Sequence, residues 1–162
     1  MSIGRMLGTR WEASSYRTLK AVWQSYSAWS NHFQSASNDK KRDTKKRGCY
    51  KGLLLKLTSE QFLVDMTTML DALQELAELS VELQKRRLKF VDSDEAVSRQ
   101  IKVFEAKIES GGSYFEEASK AVEEGCFNGV QLHKARKNTP TRHRHRQLYR
   151  SLAEHTKNRP IV

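Results

Sequence analysis

From Phe62 onward, apolar residues recur at alternating steps of four and three, through Met66, Met69, Leu73, Leu76 and Leu83, with Ser80 standing in one place of the series. That period lays one apolar stripe along a long helix. Thr58-Ser59-Glu60-Gln61 just ahead fits a capping box, with the Thr58 hydroxyl and the Gln61 amide placed to satisfy free backbone donors. Asp71, Glu75, Glu78 and Glu82 repeat with the same steps two residues later, about 200° round the helix. They are expected to form a stripe opposite the core, either solvated or paired with basic segments, and not a catalytic set.

The same signals divide the rest of the chain. Asp92 with Glu95 opens a second amphipathic helix through Val97, Ile101, Phe104 and Ile108, which Gly111-Gly112 closes. Tyr114, Phe115, Ala118 and Val122 make a short third helix ending at Gly125, and an irregular basic connection comes next, with Asn138 to Arg146 expected as a loop around Pro140. Gln147 to Lys157 reads as a last helix burying Leu148 and Leu152. Near the start, Tyr16, Leu19, Trp23, Tyr26 and Phe33 share one helical face, and burial is the default for such an aromatic stripe. Trp23 is expected in the core, and Trp29 lies at the edge of the stripe. Trp11, beside Arg10 at or just before the helix start, is not required inside by the pattern. No internal repeat and no strand pattern is found. The fold class expected is all-α, an array of five or six helices with one long amphipathic helix and no sheet.

Composition agrees with that reading. The 162 residues, with 38% hydrophobic positions, 8 Gly and 2 Pro, suit one helical region with a thin core. No run approaches the roughly 18 apolar residues of a membrane span, and the start lacks the apolar core of a secretory signal. A soluble intracellular protein is expected, with no membrane partner and no small-molecule substrate. Cys49 and Cys126 are far apart and belong to no C-x-x-C pair, so both are expected as reduced thiols. His143-Arg144-His145 has no Cys or carboxylate at ligand spacing and carries arginines that repel a cation, so neither a metal nor any other cofactor is expected.

The net charge of +10 becomes informative when divided. Residues 1–57, basic and rich in aromatics, hold 12 Lys and Arg against 3 acids; residues 58–125, with the amphipathic helices, hold 8 against 15; residues 126–162, a basic loop and the last helix, hold 9 against 1. The basic ends could fold back on the acidic centre or face a polyanion such as nucleic acid. Lys40, Lys41 and Arg42, then Lys45, Lys46 and Arg47, form two basic triplets around Asp43-Thr44. They suit phosphate binding, a nuclear import signal or a solvated turn. Arg142, Arg144, Arg146 and Arg150 make a second patch open to the same readings.

The segment TRWEASSYRTLKAVW resembles the T-R-W-x-S segment of hAT-superfamily transposases. LTSEQFLVDMTTMLDALQELAELSVELQKR looks like the matching helical region of vertebrate zinc-finger proteins derived from such elements, and the stretch from Cys126 through RHRQLYRSLAEH is similar to the next segment of those proteins. The resemblance covers the chain from about Thr9. It implies a helical insertion within an RNase H-like catalytic domain, lying after that domain's two aspartates and before its glutamate, so no catalytic residue is carried over. It also implies a nuclear setting. The family's motif tryptophan lies near the cleaved DNA end and helps to hold an extruded base, which implies that role for Trp11 with Arg10 beside it; the other reading is a helix-capping Trp11 packed on neighbouring helices, and Glu12-Ala13 departs from the commoner Asn-Ser. The expectation is a catalytically inactive, hAT-like helical fragment with mainly nonspecific DNA binding through Arg10, Trp11 and the two triplets. The alternative is a helical protein-protein interaction module that binds no nucleic acid.

Overall fold

The structure, a computed structural model, describes residues 8–84, 90–134 and 141–157, with the side chains at 8–13, 90 and 141–143 outside that description. Its elements are α1 (Gly8–Gln24), α2 (Tyr26–Asn38), α3 (Thr44–Leu57), α4 (Glu60–Leu83), α5 (Phe90–Ser110), α6 (Ser113–Glu124), β1 (Cys126–Phe127), β2 (Val130–Gln131) and α7 (Thr141–Lys157). The all-α architecture with a long amphipathic helix is therefore present. Among the described residues the helices number six if α1 and α2 are counted as one bent rod. Ser25 leaves helical geometry at φ −106°, ψ 20°, yet its amide still donates to the Ala21 carbonyl and its carbonyl accepts from the Trp29 amide, each at 3.0 Å.

Helix α4 is the centre of the molecule, packed against α1, α5, α6 and α7. Its first half is buried nearly all round, through Leu63, Val64, Met66, Thr67, Leu70 and Leu73, while Met69 and Leu83 of the expected stripe are exposed. A helix with neighbours on most sides needs no polar face. Thr67 and Thr68 are tolerated inside because their hydroxyls donate to backbone carbonyls one turn back, at 2.8–3.1 Å. The cap sits one residue later than the sequence suggests. Ser59 Oγ accepts from the Phe62 amide at 3.2 Å, while the Thr58 hydroxyl donates to the Leu54 carbonyl and the Gln61 amide donates to Asp65.

The acidic stripe is the main correction within α4. Asp71 does not face solvent: it is 2% exposed, and its two carboxylate oxygens accept from the Tyr114 and Phe115 amides at 3.2 and 2.9 Å. It thus caps α6 from another helix, where Gly112, the cap residue in sequence, offers no side chain. Burial pushes the Asp71 carboxyl up from its ordinary range, against the pull of those two amides and of Lys107. Glu75 is also inward, accepting from Lys107 at 2.6 Å and Gln100 at 3.2 Å, and Glu82 pairs with Arg99 at 3.2 Å. The stripe is largely spent on α5 and α6.

Gly111 at φ 79° ends α5 and Gly125 at φ 69° ends α6, the left-handed termini expected at these glycines. Beyond Gly125, where no strand is expected, Cys126–Phe127 pairs antiparallel with Val130–Gln131 across Asn128-Gly129. Both turn residues have positive φ, 48° and 77°, which is the two-residue hairpin turn that Asn-Gly favours. The residues after β2 run beside the α3–α4 junction: the Glu60 amide donates to the His133 carbonyl and the His133 amide to the Thr58 carbonyl, both at 3.0 Å.

Two apolar clusters result. Trp23, Tyr26, Leu63, Leu70, Phe115 and Phe127 centre the first, between the α1–α2 bend, α4, α6 and the hairpin. Ala72, Phe104, Tyr149 and Ala153 centre the second, with Leu76, Ile108, Leu148 and Leu152 at its margin. Helix α7, which brings Tyr149 and Ala153 to the second cluster, starts at Thr141, upstream of the expected Gln147. His145, expected in a loop, is buried and stacks on Phe115 at 4.2 Å with 20° between the rings. It begins the inward row that continues through Tyr149 and Ala153.

Tyr149 is fully buried, its hydroxyl has no partner among the described residues, and burial pushes its phenol well above the ordinary range. An unmatched buried hydroxyl costs about 1–3 kcal/mol. Tyr149→Phe should therefore stabilise the chain by about 1 kcal/mol, read as a melting temperature about 2–4 °C higher. A lower melting temperature would show that the hydroxyl is satisfied after all.

Candidate nucleic-acid interface

The turn between α2 and α3 carries the two basic triplets. Asp39 shapes it: one carboxylate oxygen accepts from the Lys41 amide at 3.0 Å and the other from Arg42 Nε at 3.1 Å. This is an Asx-type turn, in which a short carboxylate replaces a backbone acceptor. Lys40 and Lys41 project from it exposed, and Lys45 and Lys46 stand exposed in the first turn of α3. These four lysines form no ion pair among the described residues. Arg42 is held by Asp39 and lies over the Tyr50 ring at 5.2 Å, and Arg47 is half-buried with Nε unpartnered among the described residues.

The first turn of α3 contains three cations and no acid. A helix N-terminus is the positive end of the helix dipole, so each cation there is disfavoured by about 0.3–1 kcal/mol. Asp43, the acid at the N-cap, makes no side-chain capping bond, and a bound anion would be favoured here. Helix α3 also has little hold on the body. It packs chiefly on α2, only Leu57 is buried, and the Tyr26 hydroxyl donates to the Leu57 carbonyl at 2.6 Å, pinning the hairpin at its base.

The basic C-terminal region behaves differently. Arg144 reaches Asp65 at 3.1 Å, Arg146 reaches Glu109 at 2.7 Å and Lys157 reaches Glu105 at 2.6 Å. Such exposed pairs each contribute about 0–1 kcal/mol, but they take up the charge. The two fates open to the basic ends are thus divided by segment: α7 folds back on the acidic centre, while residues 40–46 leave their lysines in solvent. Arg150 remains exposed, and the Arg142 and His143 side chains lie outside the described residues.

Arg10 and Trp11 fall in the first turn of α1, after Gly8, and their side chains lie outside the described residues. The structure does describe an aromatic row beside the basic turn that the sequence pattern does not single out. Trp29 is 43% exposed and its ring lies 5.8 Å from Phe33 and 6.4 Å from His32; His32 stands edge-on to Tyr50 at 6.0 Å, and Tyr50 carries Arg42. The position of Trp29 at the edge of the α1–α2 stripe was its only signal. His32 and Tyr50 had none, because they meet only when α3 folds against α2.

Elsewhere the surface offers less chemistry. An open groove of about 530 Å³ between α1 and α4 is lined by Tyr16, Gln74, Ala77, Glu78, Val81 and Glu82, whose polar groups are engaged by Gln74 with Glu78 and by Arg99 with Glu82. Among the described residues no group of three His, Cys, Asp or Glu is placed to hold a metal ion, both cysteines are free thiols, and no helix is long and apolar enough to cross a membrane. The chain matches no known protein family, and no curated protein or solved structure is significantly similar to it.

Proposed function

We propose that this chain is a non-catalytic helical module that binds nucleic acid, mainly without sequence preference, through the α2–α3 hairpin. One observation carries the reading: among the described residues Lys40, Lys41, Lys45 and Lys46 form no ion pair and stand in solvent, while Arg144, Arg146 and Lys157 of α7 are paired with acids of α4 and α5. Phosphates release condensed counterions when such lysines approach, which supplies sequence-independent affinity. The α3 N-terminus adds backbone donors for the same phosphates. The Thr9–Trp23 segment supports placing the module in a hAT-transposase-like protein with a nuclear setting, in which Arg10 and Trp11 add a contact at an extruded base.

Binding to duplex DNA should be weak and steeply salt-dependent. Changing the four lysines to Ser is expected to flatten the slope of log K against log salt by about 3–4, at about 0.9 for each phosphate no longer neutralised. Fluorescence anisotropy across a salt series measures it, and an unchanged slope assigns these lysines to solvent. A second reading, docking on a protein partner, is favoured by Leu53 and Leu55, which are 44% and 53% exposed on α3. Leu53→Gln with Leu55→Gln separates the two, since only protein docking depends on those side chains.

A further inference from the structure

We infer that the α2–α3 hairpin selects single-stranded over duplex nucleic acid, with the exposed Trp29 indole as the stacking surface that continues the basic turn; this rests on the nucleic-acid reading above. Trp23 and Trp29 sit six residues apart on one bent rod, but the first is buried and the second leaves 43% of its surface in water. Trp29 is nevertheless held in place. Phe33 backs it at 5.8 Å, and Phe33 and Tyr50 are half-buried against each other at 6.2 Å. A ring fixed before binding loses little rotamer freedom when a base settles on it.

The neighbours form a continuous chain of contacts. From Trp29 the row passes to His32 at 6.4 Å, from His32 to Tyr50 at 6.0 Å, and from Tyr50 to the Arg42 guanidinium at 5.2 Å, beside Lys40 and Lys41. Rings succeeded by cations match a strand with one flank of bases and one of phosphates. In a duplex the base faces are hidden in the stack, so an exposed indole gains nothing from it unless a base is extruded. In a single strand each base has a free face, and stacking is tolerant of sequence. The lysines serve either form; the ring serves one.

The test compares a labelled oligothymidylate with a labelled duplex carrying the same number of phosphates, by anisotropy at fixed low salt, using the full chain. The wild type should prefer the single strand. Trp29→Ala should weaken single-strand binding by about 5- to 150-fold, corresponding to the ~1–3 kcal/mol of one base–aromatic stack, with duplex affinity changed less than about twofold. Trp29→Phe should retain most of the preference, and equal urea midpoints for the variants establish that folding is intact. Changing the four lysines to Ser should weaken both forms. If the two nucleic acids bind equally and Trp29→Ala changes neither, the single-strand inference is overturned while the nucleic-acid reading stands; if the wild type binds neither, both are overturned.

Discussion

Trp23→Ala will cost about 3–5 kcal/mol of folding stability, the usual range for removing a large aromatic from a core. The indole lies where three parts of the chain meet. Its ring is 4.3 Å from Phe127 on the small hairpin and 5.7 Å, edge-on, from Tyr114 on α6, and Tyr26 closes the far side of Phe127 at 5.0 Å. Truncation opens a cavity that none of these elements can fill alone, because Phe127 is fixed by the Asn128-Gly129 turn and Tyr114 by the start of α6. Urea unfolding monitored by circular dichroism measures the loss. Trp29→Ala provides the contrast, with an expected change under about 1 kcal/mol for a side chain that already has 43% of its surface in water and leaves no enclosed cavity when removed. Equal losses for both would mean that the bend at Ser25 does not divide a buried face from an exposed one.

Gly112→Ala should be nearly as damaging, at about 2–4 kcal/mol, because overpacking and the loss of a helix cap act together there and not because of backbone conformation. The Gly112 backbone, at φ −116° and ψ 179°, is extended and open to any residue. The obstacle is Asp71, whose carboxyl group occupies the space a methyl would take. Either the α4–α6 packing opens or the carboxylate leaves the Tyr114 and Phe115 amides, and then overpacking, about 1–3 kcal/mol, is joined by loss of the α6 cap, about 0.5–2 kcal/mol. Asp71→Ala alone strands two amides and also destabilises. The double variant is the sharper measurement: with the carboxyl gone the methyl has room, so the double loss should fall short of the sum of the singles by about 1–3 kcal/mol. Strictly additive losses would show that the two residues do not interact.

Much of the helical order was legible because it is written in local chemistry. Gly111 and Gly125 end α5 and α6 where left-handed backbone is needed, and the periodicity of Val97 to Ile108 marks α5. The hairpin was also written locally, in Asn128-Gly129, but strands of two residues are too short to show alternation. The start of α7 was hidden by composition. An arginine-rich stretch around His145 resembles a solvated loop until Asp65 and Glu109 are seen to receive Arg144 and Arg146. For the candidate interface, the two triplets could be read from sequence as basic and polar, whereas the ring row from Trp29 to Tyr50 joins residues of two helices.

By itself, then, the sequence determined a predominantly helical chain, its principal breaks, a buried Trp23 and a charge distribution basic at both ends and acidic between. These come from turn chemistry, periodicity and counting, each of which acts over a few residues. Only the tertiary structure decided which way Asp71 points, because a carboxylate repeating on the polar side of one helix became the cap of another 43 residues away. It likewise decided which basic end is neutralised. Charge acts through space, and nothing within residues 40–47 or 144–157 records that the acids of α4 and α5 lie within reach of the second segment and, among the described residues, leave the lysines of the first without an ion pair.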